Sequence, residues 1–364
     1  MLGVYAGSFD PFTNGHMEVV THAANVFDRI VVLIADNPGK KHWFSASERR
    51  DIVTEAVAET PNAVADVLPP GETAVEYAYR LGACLVRGLG DFTDYPAEKT
   101  LQDVNSSLRP EVQTVFLMTR RAENQMRSSS VRGAACYRFG WRSIRDAVPR
   151  ATFNAVILKS LAERYHDLRP LLDSLPFSRF RERPYHGLEH IAYMIDLAEE
   201  WRVFDGDVDR LSLLTAIVFH DVFVDSDADV DAGDDVRRSV ALFMERYSHQ
   251  DAPPDIVRMV QATDHKDFAF GSGVILKPDE EIMIRLDLAI LGDTPYEYAR
   301  YAKSIREEYA PKYGYLSDGF RKGRAAFLET LLMRLQDGVL INSALDKQAG
   351  VNARWELGEL EKGH

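Results

Sequence analysis

Two groups of residues in this 364-residue sequence have the types and spacing to do chemistry. The first is Gly7-Ser8-Phe9-Asp10-Pro11-Phe12-Thr13-Asn14-Gly15-His16, between a short apolar run and an amphipathic stretch beginning at Met17. Glycine lets backbone approach a phosphate closely, and a helix behind such a loop offers unpaired N–H groups and a positive dipole end. Gly7 and Gly15 alone serve equally well as tight-turn residues. His16 adds an imidazole at a helix start, able to donate to phosphate oxygens and to stabilise charge developing in phosphoryl or nucleotidyl transfer. Ser128-Ser129-Ser130 open a later helical stretch, where hydroxyls beside helix N–H groups suit the same anion and also make a good N-cap; the two roles are compatible. The second group is Tyr185-His186-Gly187-Leu188-Glu189-His190, then His220-Asp221, then Asp287. Neutral imidazoles and carboxylates hold a hard or borderline divalent cation and leave positions open for water. A single histidine on an apolar helix face is usually a core residue. His220-Asp221, however, ends the very apolar Leu213 to Phe219, and burying two polar groups there without a partner is costly.

The elements that must position these groups differ between the two halves. Gly3 to Ala6, Ile30 to Ala35, Cys84 to Arg87 and Val115 to Met118 read as buried strands between amphipathic stretches, the pattern of a parallel sheet with crossover helices. After Pro149 no comparable strand series follows. Ala155 to Leu175, Ile191 to Trp201, Leu211 to Phe219, Val236 to Tyr247 and Phe320 to Leu335 carry apolar residues at helical spacing. The expected fold is an α/β Rossmann-like domain over residues 1–162 followed by an all-α domain over 163–364, joined without a Gly- or Ser-rich linker. The acidic run Asp225 to Asp235 reads either as a solvated loop or as an ion-facing segment beside the metal-type residues.

Composition narrows the partners. A net charge of −13 opposes a nucleic-acid backbone, so local basic spots serve small anions. Cys84 and Cys136 are too few for a disulfide framework and are expected as buried thiols in a reducing compartment. The longest apolar runs, Ile30 to Ala35 and Leu213 to Phe219, are far short of a bilayer span, and Met1 leads directly into a strand. A cytoplasmic protein without membrane contact is expected.

Thr13-Asn14-Gly15-His16 resembles the T/H-x-G-H signature of the nucleotidyltransferase superfamily, and residues 3 to about 162 resemble bacterial phosphopantetheine adenylyltransferase. The likeness extends through Asn37-Pro38-Gly39-Lys40-Lys41, Glu48-Arg49, Val86-Arg87-Gly88-Leu89, Phe116-Leu117-Met118 and Ser128-Ser129-Ser130-Val131. It implies ATP and a phosphorylated small molecule as substrates, Mg²⁺ as cofactor, and a step in chemistry like coenzyme A biosynthesis. It implies that Gly7, Ser8, Phe9, His16, Glu98 and Ser128 to Ser130 bind the nucleotide. Ser8, Lys40, Arg87 and Asn105 would bind the acceptor, with His16 and Lys40 catalytic. The resembled enzymes form symmetric oligomers, so a homo-oligomer is implied on that ground alone. Where the family reads Arg-Gly-Leu-Arg the chain has Arg87-Gly88-Leu89-Gly90, and Arg120, Arg121 or Arg127 could replace the lost cation.

The second group resembles the HD superfamily of metal-dependent phosphohydrolases, supported by Arg183-Pro184-Tyr185-His186, Asp287 to Gly292, Tyr301, Ile305 to Tyr309 and Gly323-Arg324. It implies His190, His220, Asp221 and Asp287 as ligands of Mn²⁺, Fe²⁺, Ni²⁺, Zn²⁺ or Mg²⁺. A Tyr-His-x-x-x-His spacing similar to that of cyclic nucleotide phosphodiesterases makes His186 the acid for the leaving oxygen, on one helical face with His190 if the helix already begins there. His265 is implied as a second-metal ligand or substrate contact, and Lys266, Arg306 or Arg324 would meet phosphate charge. Taken together, a bifunctional enzyme is expected. The alternatives are a nucleotide-sensing N-terminal module regulating the hydrolase, or a cytidylyltransferase.

Overall fold

The computed structural model describes residues 1–36, 39, 41–90, 95–119, 126–174, 177–227, 230–231, 234–247, 253–264, 276–337 and 340–362. The chain divides into two compact units, Met1–Ser160 and Leu161–His364.

The first unit is built on five strands, β1 (Leu2–Gly7), β2 (Arg29–Ile34), β3 (Ala63–Val67), β4 (Cys84–Leu89) and β5 (Thr114–Met118), all parallel in the order β3-β2-β1-β4-β5. Helices α1 (Asn14–Ala24), α2 (Ala46–Ala56), α3 (Ala74–Leu81) and α4 (Tyr95–Leu108) lie between successive strands in the chain. Then follow α5 (Ser128–Ala135), the short α6 (Trp141–Ile144) and α7 (Arg150–Arg164). Val4, Ala6, Val31, Leu33 and Leu85 are buried with Val75 and Ala78 of α3, which is why these strands are nearly continuous apolar runs. The sequence reading missed β3: its Ala-Val-Ala-Asp-Val lies at the sheet edge, is only half buried, and lacks the apolar run of the central strands. Strand order reverses between β1 and β4, and in open parallel sheets ligands bind beyond the strand C-termini at such a point. Gly7 and Leu89 end those two strands.

The described residues of the second unit contain no strand. Its helices are α8 (Arg169–Ser174), α9 (Phe177–Arg181), α10 (Leu188–Glu200), α11 (Arg210–Phe219), α12 (Asp235–Arg246), α13 (Pro254–Gln261), α14 (Pro278–Leu288), α15 (Pro295–Tyr313), α16 (Asp318–Asp337) and α17 (Ser343–Lys362). Every residue from Leu213 to Phe219 is buried, so α11 is the central rod, packed by α10, α13 and α14. The single helix expected over Ala155 to Leu175 is broken instead. The α-helix stops at Arg164, and α8 restarts with Pro170 in its first turn, where a missing N–H does no harm. The division at Ser160 falls inside α7, two residues before the expected 162. Of the thiols expected to be buried, Cys84 is half-buried in β4 and Cys136 is exposed just past α5.

Candidate active sites

In the first unit, the chain leaves β1 at Gly7 and turns through Phe9, whose backbone is left-handed (φ 47°). A side chain at Gly7 would meet the Phe9 ring at 2.8 Å, so glycine is required there. Phe9 is 3% exposed and packs edge-on against Tyr5, Phe12 and His16, with centroids 5.2, 5.5 and 5.1 Å apart. Its ring therefore belongs to the core beneath the loop, and any nucleotide contact at Phe9 falls to its backbone.

Helix α1 starts with Thr13 as N-cap, and His16 occupies the third helical position where a capping box usually carries Glu. The Thr13 N–H donates to His16 Nδ1 at 3.0 Å. An N–H can only donate, so Nδ1 is the acceptor and the ring proton sits on Nε2. Burial pushes the His16 pKa down to about 4, keeping the ring neutral at physiological pH. Helix start and tautomer are thus set by one short motif.

Three arginines or their partners hold the loop in place. Arg49, 1% exposed, donates to the Ser8 carbonyl at 2.7 Å and pairs with Asp36. The Asp10 carboxylate accepts the Trp43 and Phe44 N–H groups at 2.8 and 3.0 Å, while Arg132 of α5 donates to the Asp10 carbonyl. The Ser128 hydroxyl donates to the Pro11 carbonyl at 2.8 Å, joining the start of α5 to the same loop. Ser129 and Ser130 are exposed on the first turn of α5. Arg87 forms a two-pronged pair with Glu98, at 2.5 and 2.8 Å, and donates to the Ala6 carbonyl at 3.1 Å. The expected acceptor cation and an expected nucleotide contact therefore hold each other. Asn105 is half-buried on α4, and Arg127 is the exposed N-cap of α5. Lys40, Arg120 and Arg121 lie outside the described residues.

In the second unit, three helix ends converge. His190 lies in the first turn of α10, His220 and Asp221 follow the last turn of α11, and Asp287 closes α14. One ligand-type atom from each of the four lies within 4.8 Å of all the others. His190 Nε2 is 3.3 Å from His220 Nε2 and 3.1 Å from Asp287 Oδ1, and His220 Nε2 is 2.9 Å from Asp221 Oδ2. His220 Nδ1 lies 2.9 Å from the Ile217 carbonyl, which can only accept. Nδ1 therefore carries a proton and Nε2 faces the cluster. Tyr185 Oη stands 3.0 Å from His190 Nδ1, so the outer nitrogen of that ring is engaged while Nε2 faces the cluster. Burial holds the His190 pKa below its ordinary value, which favours the ligating form. Two imidazole nitrogens and two carboxylate oxygens, with the outer ring nitrogens already engaged, fit a divalent cation.

His186 is not on the helix: α10 starts at Leu188 with Gly187 as N-cap, so the shared-face argument does not apply. The chain still brings the two rings to 5.9 Å. His186 Nδ1 meets Glu308 Oε1 at 2.5 Å, and the other Glu308 oxygen accepts the Tyr185 and His186 N–H groups at 2.8 and 3.0 Å. Burial opposes a charge on His186, but the Glu308 and Asp221 carboxylates outweigh it and raise the pKa to about 8. Arg183 donates to the Asp221 and Val222 carbonyls at 2.6 and 2.8 Å, to the His186 carbonyl at 3.3 Å, and pairs with Asp227 at 2.5 Å. Part of the acidic run is thus structural: Asp227 anchors Arg183, while Asp225 and Asp235 line a cavity of ≈ 590 Å³ that opens on His186, Asp221 and Asp287. Arg324 lines it too, held by Glu356 at 2.9 and 3.0 Å. Arg306 donates to the Ala302 carbonyl at 3.2 Å. His265 and Lys266 lie outside the described residues. In the sequence, Arg49, Arg183 and Glu308 stand out only as residues matching the two families, and Asp10 and Arg132 carry no role.

A parallel sheet with a glycine-led loop and a capping histidine at its switch point defines a nucleotidyltransferase-type unit, and the cytidylyltransferase-like family model matches residues 4–134. Phosphopantetheine adenylyltransferase of Desulforamulus reducens is 41% identical over 165 residues, covering 45% of this chain and 96% of the relative. Those of Streptococcus pyogenes serotype M2 (36% over 156 residues; 43% and 93%) and Neisseria meningitidis serogroup C (37% over 166; 45% and 94%) are similar as well. Through its first unit the chain belongs to the phosphopantetheine adenylyltransferase family. More than half of the chain lies beyond these matches.

Proposed function

We propose that the chain is a bifunctional enzyme whose first unit transfers an adenylyl group from ATP to a phosphorylated, phosphopantetheine-like acceptor, and whose second unit hydrolyses a phosphoester with the help of a divalent metal. Family membership carries the first half. An acceptor phosphate oxygen attacks the α-phosphorus of ATP, which enters with Mg²⁺, and the bond to pyrophosphate breaks. Positioning and charge stabilisation suffice for such a displacement, so no covalent nucleophile is needed. His16 donates its Nε2–H to a phosphate oxygen, while Gly7, Ser8 and the Phe9 backbone seat the triphosphate. The first turn of α5, with Ser128 to Ser130, meets the β- and γ-phosphates. Lys40 and Arg87 hold the acceptor phosphate near Asn105, and Arg87 shares its charge with Glu98.

The four-residue cluster carries the second half. His190, His220, Asp221 and Asp287 would hold Mn²⁺, Fe²⁺, Ni²⁺, Zn²⁺ or Mg²⁺, with His265 as a further ligand or substrate contact. A divalent cation bound there supplies charge to neutralise phosphoryl oxygens and acidifies water. His186, its Nδ1 engaged by Glu308, gives its other proton to the leaving oxygen.

The test is pyrophosphate release from ATP with phosphopantetheine, beside phosphoester hydrolysis with Mn²⁺. Release that depends on the acceptor and is lost in His16→Ala supports the transferase. Gly90 favours one other reading, a module that senses nucleotide, because the resembled enzymes carry an arginine there. ATP binding without turnover on any acceptor would favour that reading, and preferential use of CTP would make the unit a cytidylyltransferase.

A further inference from the structure

We propose that the substrate of the second site carries a single phosphate on an uncharged aromatic alcohol, which lies between α15 and α16 over Gly323; this rests on the hydrolase reading above. The cavity beside the metal-type cluster has two helical walls. From α15, Tyr301, Ile305, Tyr309 and Tyr313 face it at four-residue steps, a single stripe of the helix. From α16, Phe320, Gly323, Arg324 and Phe327 face it at i, i+3, i+4 and i+7, again one side of the helix. Tyr301 is fixed as a wall: its hydroxyl accepts from Arg324 at 3.2 Å, and its ring packs edge-on against Tyr185 at 4.6 Å. Rings so held favour a flat apolar guest over water.

Gly323 points to the same guest. It sits in the interior of a 20-residue helix, where glycine is a poor choice beside alanine. A Cβ built there meets nothing within 4 Å, so no protein neighbour requires glycine. The space it keeps open belongs to the cavity.

Charge limits the rest of the guest. Apart from His186, Asp221 and Asp287, the charged residues among the described lining are Asp225, Asp235, Asp264 and Arg324. The Arg324 guanidinium is already matched by Glu356, which is 1% exposed. Among the described lining, a second phosphate would meet carboxylates and an arginine already paired with Glu356.

The test uses full-length protein with Mn²⁺ and two readouts. Calorimetry with benzylphosphonate and methylphosphonate should show the aromatic ligand binding about tenfold more tightly. Turnover should be higher for benzyl phosphate than for methyl phosphate, and higher than for benzyl diphosphate. Gly323→Ala should raise the melting temperature while abolishing the benzyl preference and leaving methylphosphonate binding unchanged. Equal binding of the two phosphonates, preference for the diphosphate, or an unaltered benzyl preference in Gly323→Ala would each overturn the inference. Absence of turnover on every ester, with the binding preference intact, would sink the hydrolase reading alone.

Discussion

One backbone hydrogen bond sets the working form of His16, and this gives the residue a pH signature. Its folded pKa is lowered from 6.5 to about 4, so the unfolded chain takes up a proton more readily. The stability that this residue contributes is full above pH 6.5 and is lost as pH falls through 6.5 toward 4. A ring-proton NMR titration of His16 should show a midpoint near 4; a midpoint near 6.5 would mean that the ring is not buried as described. Replacing it with alanine removes one phosphate donor and should lower adenylyl transfer by about 10²–10³-fold. Arg183 is the corresponding fixed point of the second unit: it grips the backbone of His186 and Asp221. Arg183→Met removes one of two arginines that pair with Asp227, leaving Arg179 at 3.2 Å, and should destabilise the protein by about 1–3 kcal/mol. Lysine cannot reproduce a guanidinium fork spanning three carbonyls, so Arg183→Lys should weaken Mn²⁺ binding in calorimetry as well. Wild-type Mn²⁺ affinity in Arg183→Lys would contradict the positioning role.

At the scale of elements, legibility followed how locally each feature is encoded. Strands β1, β2, β4 and β5 stand out as apolar runs, whereas β3, with Asp66 and its half-buried edge position, has no such signal. The buried run Leu213 to Phe219 announced α11, and His220-Asp221 at its end announced the cluster. Contacts between residues distant in sequence were not legible. Arg49 reaches Ser8 across 41 residues, and Glu308 reaches His186 across 122. The helical spacing reads from Ile191, whereas α10 starts at Leu188; the shared face with His186 required a helix already begun at that residue, and there the Tyr185 and His186 N–H groups are taken by Glu308 instead. Since α11 carries His220 to the cluster and its Ile217 carbonyl fixes the ring, packing and site are coupled there. Ile217 is fully buried, so Ile217→Ala should cost about 2–5 kcal/mol in urea denaturation. The same variant should bind Mn²⁺ less tightly; unchanged stability would contradict the central place given to α11.

At the scale of the whole molecule, the two chemistries occupy separate stretches of chain. The described residues of the first site fall within Met1–Ser160 and those of the second within Leu161–His364. No described helix is long and apolar enough to cross a membrane, and under a net charge of −13 the proposed phosphate contacts are local groups such as the start of α5. Both proposed reactions act at phosphorus, one forming a pyrophosphate linkage and one breaking a phosphoester. The proposed function requires two active sites on this chain that work independently of each other. The most direct test measures both reactions, pyrophosphate release from ATP with phosphopantetheine and Mn²⁺-dependent hydrolysis of benzyl phosphate, in the wild type, His16→Ala and Asp221→Ala. His16→Ala is expected to lose only the first reaction and Asp221→Ala only the second. Loss of both reactions in either correctly folded variant, or of neither in both, would contradict this independence.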